Sequence, residues 1–145
     1  MKRGPVDEIP EEITASAQVD SVPALIRFVS THAWECGFQD EAITKINLAV
    51  EEALNNILYF ACSNGKGEIR ISCSIHNSGA LQINIADTGS PFNMLLSGTF
   101  PEADDFTEPG RKPSTRIMKK VIKNVEYRRE TDKNLLIFIA SKDLL

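Results

Sequence analysis

The hydrophobic and polar positions alternate over several short stretches of the chain. Residues 13–19, 69–75 and 81–87 each place apolar side chains at every second position. A period of two is typical of a strand with one buried face. Residues 125–130 and 135–140, on either side of a polar turn, are also predicted as strands. The turn-forming residues 76–79 between 69–75 and 81–87 indicate a hairpin, and the last two strands indicate another.

Other stretches have the period of a helix. Asp20 or Ser21 is the predicted N-cap of a helix that has Pro23 in its first turn and runs to Cys36, before Gly37. Residues 40–62 contain no Pro or Gly and predict the longest helix, and a further helix starts at Ser114. The long helix has apolar residues at steps of three and four, which predicts a core-facing stripe; they are Ile43, Ile46, Val50, Ala53 and Ile57.

The order of these elements is strand, two helices, hairpin, loop, helix, hairpin. Strands occur in runs and do not alternate strictly with helices, which favours an α+β fold. We therefore predict a two-layer sandwich with the helices on one face of a mostly antiparallel sheet. Residues 1–10 are expected to be a loose lead-in, and the Pro-, Gly- and acid-rich residues 96–114 a lid-like loop.

Composition narrows the class of protein. A chain of 145 residues, 42% of them hydrophobic, is long enough for one globular domain with a real core. The net charge of −4 argues against a direct nucleic-acid partner. No run of 18 apolar residues and no secretory signal are present, so neither a membrane span nor export is expected. Three cysteines without metal-site spacing indicate a reducing, cytoplasmic location.

Candidate chemistry begins on the long helix. Glu52 and Asn56 lie four residues apart, so their side chains are one turn apart on one face. That face adjoins the apolar stripe, where polar groups are costly to bury without partners. Two oxygen donors at this spacing could hold a magnesium ion or the water it carries. A solvated helix edge explains the same spacing, because any helix offers many such pairs.

A second candidate is the end of the strand 81–87. Asp87 continues the phase of the buried positions, and Gly89 follows where a backbone can approach a ligand closely. A carboxylate directed into an apolar face needs a hydrogen-bond partner. An adenine amino group is one suitable donor, and a backbone N–H or a helix N-terminus is another. Asp and Gly at a strand end also occur as ordinary turn chemistry.

Together these features resemble a known family. Three features follow one another along the chain. They are Glu52-Ala53-x-x-Asn56 on a helix, Asp87-x-Gly89-x-Pro91-Phe92 after a strand, and a lid-like loop before another helix. This order resembles that of the bacterial anti-sigma-factor serine/threonine kinases, short members of the GHKL (histidine-kinase-type) ATPase superfamily. The resemblance covers residues 13–142 and implies the ATP-binding sandwich of the Bergerat type.

The resemblance also implies roles for individual residues. Glu52 would be the catalytic base for an attacking hydroxyl, and Asn56 would coordinate the Mg²⁺ that bridges the ATP phosphates. Asp87 would receive the adenine amino group, with Gly89 giving room for the ring. The implied substrate is a serine or threonine on a STAS-fold anti-sigma-factor antagonist, and the second implied partner is a sigma factor. Relatives often form homodimers, so a homodimer is one assembly that the resemblance allows.

This chain departs from the family pattern at the phosphate end. Lys112-Pro113-Ser114 stands where relatives have Gly-x-Gly, and proline removes one amide donor there. Gly110 and Arg111, slightly upstream, could partly substitute, together with Ser114, as contacts to the nucleotide. Phe60 stands where many relatives have a histidine.

Three hypotheses follow. The first is an ATP- and Mg²⁺-dependent kinase that acts as an anti-sigma regulator, and intact Glu52 and Asn56 favour it. The second is a catalytically weak or inactive protein-binding module of the same fold, favoured by the changed residues 112–114. The third is a small α+β structural domain in which the motif matches are coincidental.

Overall fold

The computed structural model describes residues 11–76, 78–96 and 112–142. In this part of the chain the predicted order of strands and helices is confirmed. The strands are β1 (Glu12–Ser16), β2 (Glu68–Ile75), β3 (Leu81–Asp87), β4 (Asn124–Glu130) and β5 (Lys133–Ala140). The α-helices are α1 (Val22–Glu35), α2 (Asp40–Asn56) and α3 (Arg116–Val121).

The five strands form one sheet in the order β1-β2-β3-β5-β4, and every neighbouring pair is antiparallel. The hairpin of β2 and β3 pairs Ile69 with Asp87, and β3 in turn pairs Asp87 with Asn134 of β5. This register places the end of β3 in the middle of the sheet, between two neighbouring strands. The α+β fold class is thus confirmed.

The helices pack on one face of the sheet and form a single core with it. Alternate residues of β2, β3 and β5 supply the sheet side of the core, and α1, α2 and α3 supply the other. Most of the stripe predicted on the long helix is buried as expected; Ile43 at its start is only partly buried. Among the described residues, no helix combines the length and the apolar character that a membrane span requires.

The long helix changes its hydrogen bonding near its end. The α-helical part stops at Asn56 and a π-helical turn, Ile57–Ala61, continues it to the predicted end at Cys62. Such wider turns often occur at functional sites. Here it begins directly after Asn56, one of the candidate residues.

Two predicted segments fall wholly or largely outside the described residues. The lead-in of residues 1–10 and most of the lid-like loop, residues 97–111, are not described. Cys36, Cys62 and Cys73 are free thiols. The apolar sequence around each predicts that all three are buried; Cys62 and Cys73 are, whereas Cys36 is only partly buried.

The apolar stripe of α2 should dominate the stability of this layer. Ile46 is fully buried, whereas Leu48 on the same helix is 44% exposed. We expect Ile46→Ala to lower the free energy of unfolding by about 2–5 kcal/mol, because it removes core contacts and leaves a cavity. Leu48→Ala, the matched control, should cost about 0.5 kcal/mol or less. Urea denaturation measures both, and equal losses would contradict this assignment of the two faces.

Candidate functional site

Helix α2 places Glu52 and Asn56 one turn apart at the edge of the core. Glu52 is 9% exposed and Asn56 is 5% exposed, so neither belongs to an ordinary solvated helix edge. A buried carboxylate and a buried carboxamide require hydrogen-bond partners. Both find them in the residues that precede and begin α3.

The carboxylate of Glu52 accepts three hydrogen bonds. The Ser114 hydroxyl donates to Oε2 at 2.7 Å, the backbone N–H of Ile117 donates to the same oxygen at 3.3 Å, and the N–H of Met118 donates to Oε1 at 2.8 Å. The first N–H groups of a helix have no partner within the helix. Glu52 therefore caps α3 from another helix.

The carboxamide of Asn56 binds both backbone groups of Ser114. Its Nδ2 donates to the Ser114 carbonyl at 2.7 Å, and the Ser114 N–H donates to its Oδ1 at 3.2 Å. Nδ2 also lies 3.5 Å from the sulfur of Met94, which belongs to a short 3-10 helix, Met94–Leu96. Asn56 thus links α2 to the segments on either side of the predicted lid.

A cavity of about 290 Å³ lies beside these contacts. Its volume is close to the lower end of the range for small-molecule sites, roughly 300–1,000 Å³. The cavity is lined by Leu48, Glu51, Glu52, Asn55, Asn56, Lys112, Ser114 and Ile117. Both motif residues of the long helix therefore border one cavity, together with Ser114.

Asp87 is directed into the protein, as its strand phase predicted. It is 3% exposed, and its Oδ1 accepts hydrogen bonds from the Gly89 N–H at 2.8 Å and from Nδ2 of Asn134 at 2.9 Å. Burial raises the pKa of the Asp87 carboxyl, although these two hydrogen bonds lower it in part. Burial, followed by the charge of Asp87, raises the pKa of the neighbouring Cys62 thiol to about 11, so that thiol stays protonated at neutral pH.

Asn134 is a site residue that the sequence analysis missed. Besides Asp87, its Nδ2 donates to the Ser90 carbonyl at 2.8 Å, while its Oδ1 accepts from the Phe92 N–H at 3.0 Å and the Tyr127 hydroxyl at 2.6 Å. All its hydrogen-bonding positions are used. The interpretation of residues 131–134 as a turn was wrong for Asn134, which lies in β5 opposite Asp87. Its phase with the buried Leu136 and Phe138 was the signal that could have found it.

The backbone at Gly89 makes a close approach to protein, whereas the sequence predicted a close approach to a ligand. A side chain at position 89 would collide with the carbonyl oxygen of Ala61, in the π-helical turn. The Ser90 N–H donates to that oxygen at 2.9 Å, and the rings of Phe60 and Phe92 stack with centroids 5.2 Å apart. The loop after β3 therefore lies along the end of the long helix.

Glu52 and Asn56 border the cavity of about 290 Å³. Asp87 does not line that cavity and borders a separate pocket of about 30 Å³. Glu52 and Asn56 lie before the end of the long helix, and the loop after Asp87 covers the end itself. Of the other predicted site residues, Ser114 contacts both motif residues of the helix, while Gly110 and Arg111 lie outside the described residues.

The side chains beside the cavity include one oxygen, Asn56 Oδ1, that could contact a magnesium–phosphate ligand. No group of three or more His, Cys, Asp or Glu side chains that could hold a metal occurs in residues 11–76, 78–96 and 112–142. Mg²⁺ usually takes one or two protein oxygens and completes its shell with phosphate and water. Asn56 Oδ1, beside the cavity, is such an oxygen, although it accepts the Ser114 N–H in this conformation.

The profile of the histidine kinase-like ATPase domain matches residues 15–140. No curated protein matches the chain significantly.

Among solved structures, the RsbU and RsbW domains of Rv1364c from Mycobacterium tuberculosis match with a TM-score of 0.61 and 12% identity, over 92% of this chain and 32% of that one. The histidine kinase domain of the Erythrobacter litoralis EL346 blue-light activated histidine kinase matches with a TM-score of 0.48 and 18% identity, over 82% and 60%. This chain thus spans about a third and three fifths of these two chains, and the first match supports the fold.

The raised pKa of Asp87 predicts a pH-dependent stability. Burial raises the pKa of the Asp87 carboxyl in the folded state above its ordinary value of 3.8. The stabilisation of the folded state by this carboxyl is therefore fully present below pH 3.8 and is lost as the pH rises through the raised pKa. In Asp87→Asn, the new Oδ1 can accept the same hydrogen bonds and the charge is absent. We expect the variant's stability relative to wild type to rise over that interval, by about 1.4 kcal/mol per unit of pKa shift.

Urea denaturation of both proteins at a series of pH values measures this difference. A stability difference that stays constant from about pH 4 to pH 8 would contradict a raised pKa for the Asp87 carboxyl.

Proposed function

The chain belongs to the histidine kinase-like ATPase domain family, and from this premise we propose that it is an ATP- and Mg²⁺-dependent protein serine/threonine kinase of the anti-sigma-factor type. The antiparallel sheet with helices on one face is consistent with the fold of that family. The proposal assigns Glu52 as the base, Asn56 as the magnesium ligand and Asp87 as the adenine acceptor.

The observation that carries the proposal is the contact between Glu52 and a serine hydroxyl. The Ser114 hydroxyl donates to Oε2 of Glu52 at 2.7 Å, beside the cavity of about 290 Å³. A general base must lie within about 2.6–3.2 Å of the hydroxyl whose proton it takes. This distance supports the assignment of Glu52 as the base, although in this conformation Ser114 occupies the position of the substrate hydroxyl.

The other residues would position the nucleotide. The carboxamide oxygen of Asn56 suits Mg²⁺, which when bound neutralises the charge on the transferred phosphoryl group. Asp87 presents a buried carboxylate that Gly89 and Asn134 hold in one orientation, and an amino group of a purine is a suitable further donor to it. Contacts of Gly110, Arg111 and Ser114 with phosphate stay predictions from the family resemblance. The contact of Ser114 would be made by its backbone N–H, which a substitution of the side chain keeps.

The proposed partners follow from the same resemblance. A STAS-fold antagonist would supply the acceptor serine or threonine, and a sigma factor would be the second binding partner. The net charge of −4 favours protein partners over nucleic acid.

A second candidate function is partner binding without phosphoryl transfer. Glu52 and Asn56 are both engaged by residues 114–118, so this pair has a structural role that needs no nucleotide. The presence of Glu52 and Asn56 therefore favours the kinase less strongly than the sequence alone indicated. Lys112-Pro113-Ser114 in place of Gly-x-Gly favours the same candidate.

Nucleotide binding and transfer can be separated with two variants. We expect Mg-ATP at a hundred times its dissociation constant to stabilise the wild type by about 2.7 kcal/mol, a rise of several degrees in Tm. Glu52→Gln, which keeps a hydrogen-bond acceptor for α3, should retain this shift and lose about 100-fold or more of the transfer rate to a STAS-fold antagonist. Asn56→Ala should lose the magnesium-dependent part of the shift.

Thermal melting measures binding, and labelled ATP with the purified antagonist measures transfer. No Tm shift in the wild type at millimolar Mg-ATP would replace the kinase with the second candidate. Transfer by Glu52→Gln at the wild-type rate would contradict the assignment of the base.

A further inference from the structure

We propose that residues 112–117, called the latch here, act as an intramolecular pseudosubstrate. The Ser114 hydroxyl occupies on Glu52 the position that the acceptor hydroxyl of a protein substrate would take. The inference rests on the proposed function, since it concerns the same carboxylate and the same metal ligand. It adds that this chain must release its own serine before it can bind a substrate.

The latch is held by groups that the reaction would need. Oε2 of Glu52 accepts hydrogen bonds from the Ser114 hydroxyl and the Ile117 N–H. Oδ1 of Asn56 accepts from the Ser114 N–H, while its Nδ2 donates to the Ser114 carbonyl. A metal ion at Asn56 Oδ1 or a substrate hydroxyl at Glu52 Oε2 would compete directly with these bonds.

The chain around the latch allows a local opening. Met118 is fully buried and its N–H is bonded to the other oxygen of Glu52, Oε1. Ser114 and Ile117 face the cavity, and Ile117 is 37% exposed. Release of Ser114 and Ile117 therefore leaves α3 anchored by Met118 and enlarges the cavity beside Glu52.

The hydroxyl of Ser114 is the side-chain group that binds the latch to Glu52. Alanine would keep both backbone bonds to Asn56 and would lose the hydroxyl bond to the carboxylate. A hydrogen bond to a charged group is among the stronger ones in proteins. When the competent state is only partly populated, the apparent Kd of a ligand rises in proportion. Loss of the hydroxyl should therefore favour the open state and tighten ligand binding.

The test is a calorimetric titration of the full chain with Mg²⁺ and a non-hydrolysable ATP analogue. We expect Ser114→Ala to bind with an apparent Kd about tenfold lower than wild type, or about 1.4 kcal/mol. Thr31→Ala is the matched control: its hydroxyl donates to the Arg27 carbonyl on α1, outside the cavity. The control should bind as the wild type does.

Amide hydrogen exchange gives a second, independent readout on the wild type. The N–H groups of Ser114 and Ile117 should exchange faster once the analogue is bound, because their hydrogen bonds to Asn56 and Glu52 break. The Met118 N–H should stay protected. This measurement does not depend on how well Ser114→Ala folds.

The outcomes separate the two proposals. If neither the wild type nor Ser114→Ala binds the analogue, both the proposed kinase function and the latch are contradicted. Equal or weaker binding by Ser114→Ala, with Ser114 and Ile117 still protected in the wild-type complex, overturns the latch and leaves the kinase standing. Transfer of labelled phosphate from Mg-ATP to Ser114 itself would also overturn it, because the hydroxyl would then be a substrate.

Discussion

The carboxylate of Glu52 is the interaction on which this side of the molecule depends. It is nearly buried, and it compensates its loss of water with one hydroxyl and two backbone N–H groups from residues 114–118. In exchange it supplies the cap of a helix of only six residues, too short to be stable in isolation. The same contact fixes where α3 enters the layer of helices and where the cavity beside α2 lies.

A second buried carboxylate, Asp87 at the end of β3, also organises the segments around it through hydrogen bonds. Asp87 and Asn134 are paired on the adjacent strands β3 and β5. The carboxamide of Asn134 forms hydrogen bonds with Asp87 and with the loop that follows it. That loop covers the π-helical turn after Asn56, through the contact of Ser90 with Ala61. The two carboxylate centres are thus connected along one helix.

Much of the fold followed from periodicity, because strand phase and helix stripes are local properties. The alternation of 81–87 was enough to place the Asp87 carboxylate inside, and the stripe of α2 was enough to place Glu52 and Asn56 at the core edge. Their partners could not be read in this way, since Ser114 lies 58 residues from Asn56 and 62 from Glu52. Asn134 was missed for a different reason: a polar residue beside a turn was assigned to the turn, although its phase matched the buried positions of β5.

The central claim, that Glu52 and Ser114 interact strongly, is tested most directly by a double-mutant cycle. The free energy of unfolding is measured by urea denaturation for wild type, Glu52→Ala, Ser114→Ala and the double variant. A coupling energy of about 0.5–3 kcal/mol is predicted for groups in direct contact. Losses that simply add, to within about 0.3 kcal/mol, would show that the two side chains do not interact and would contradict the account.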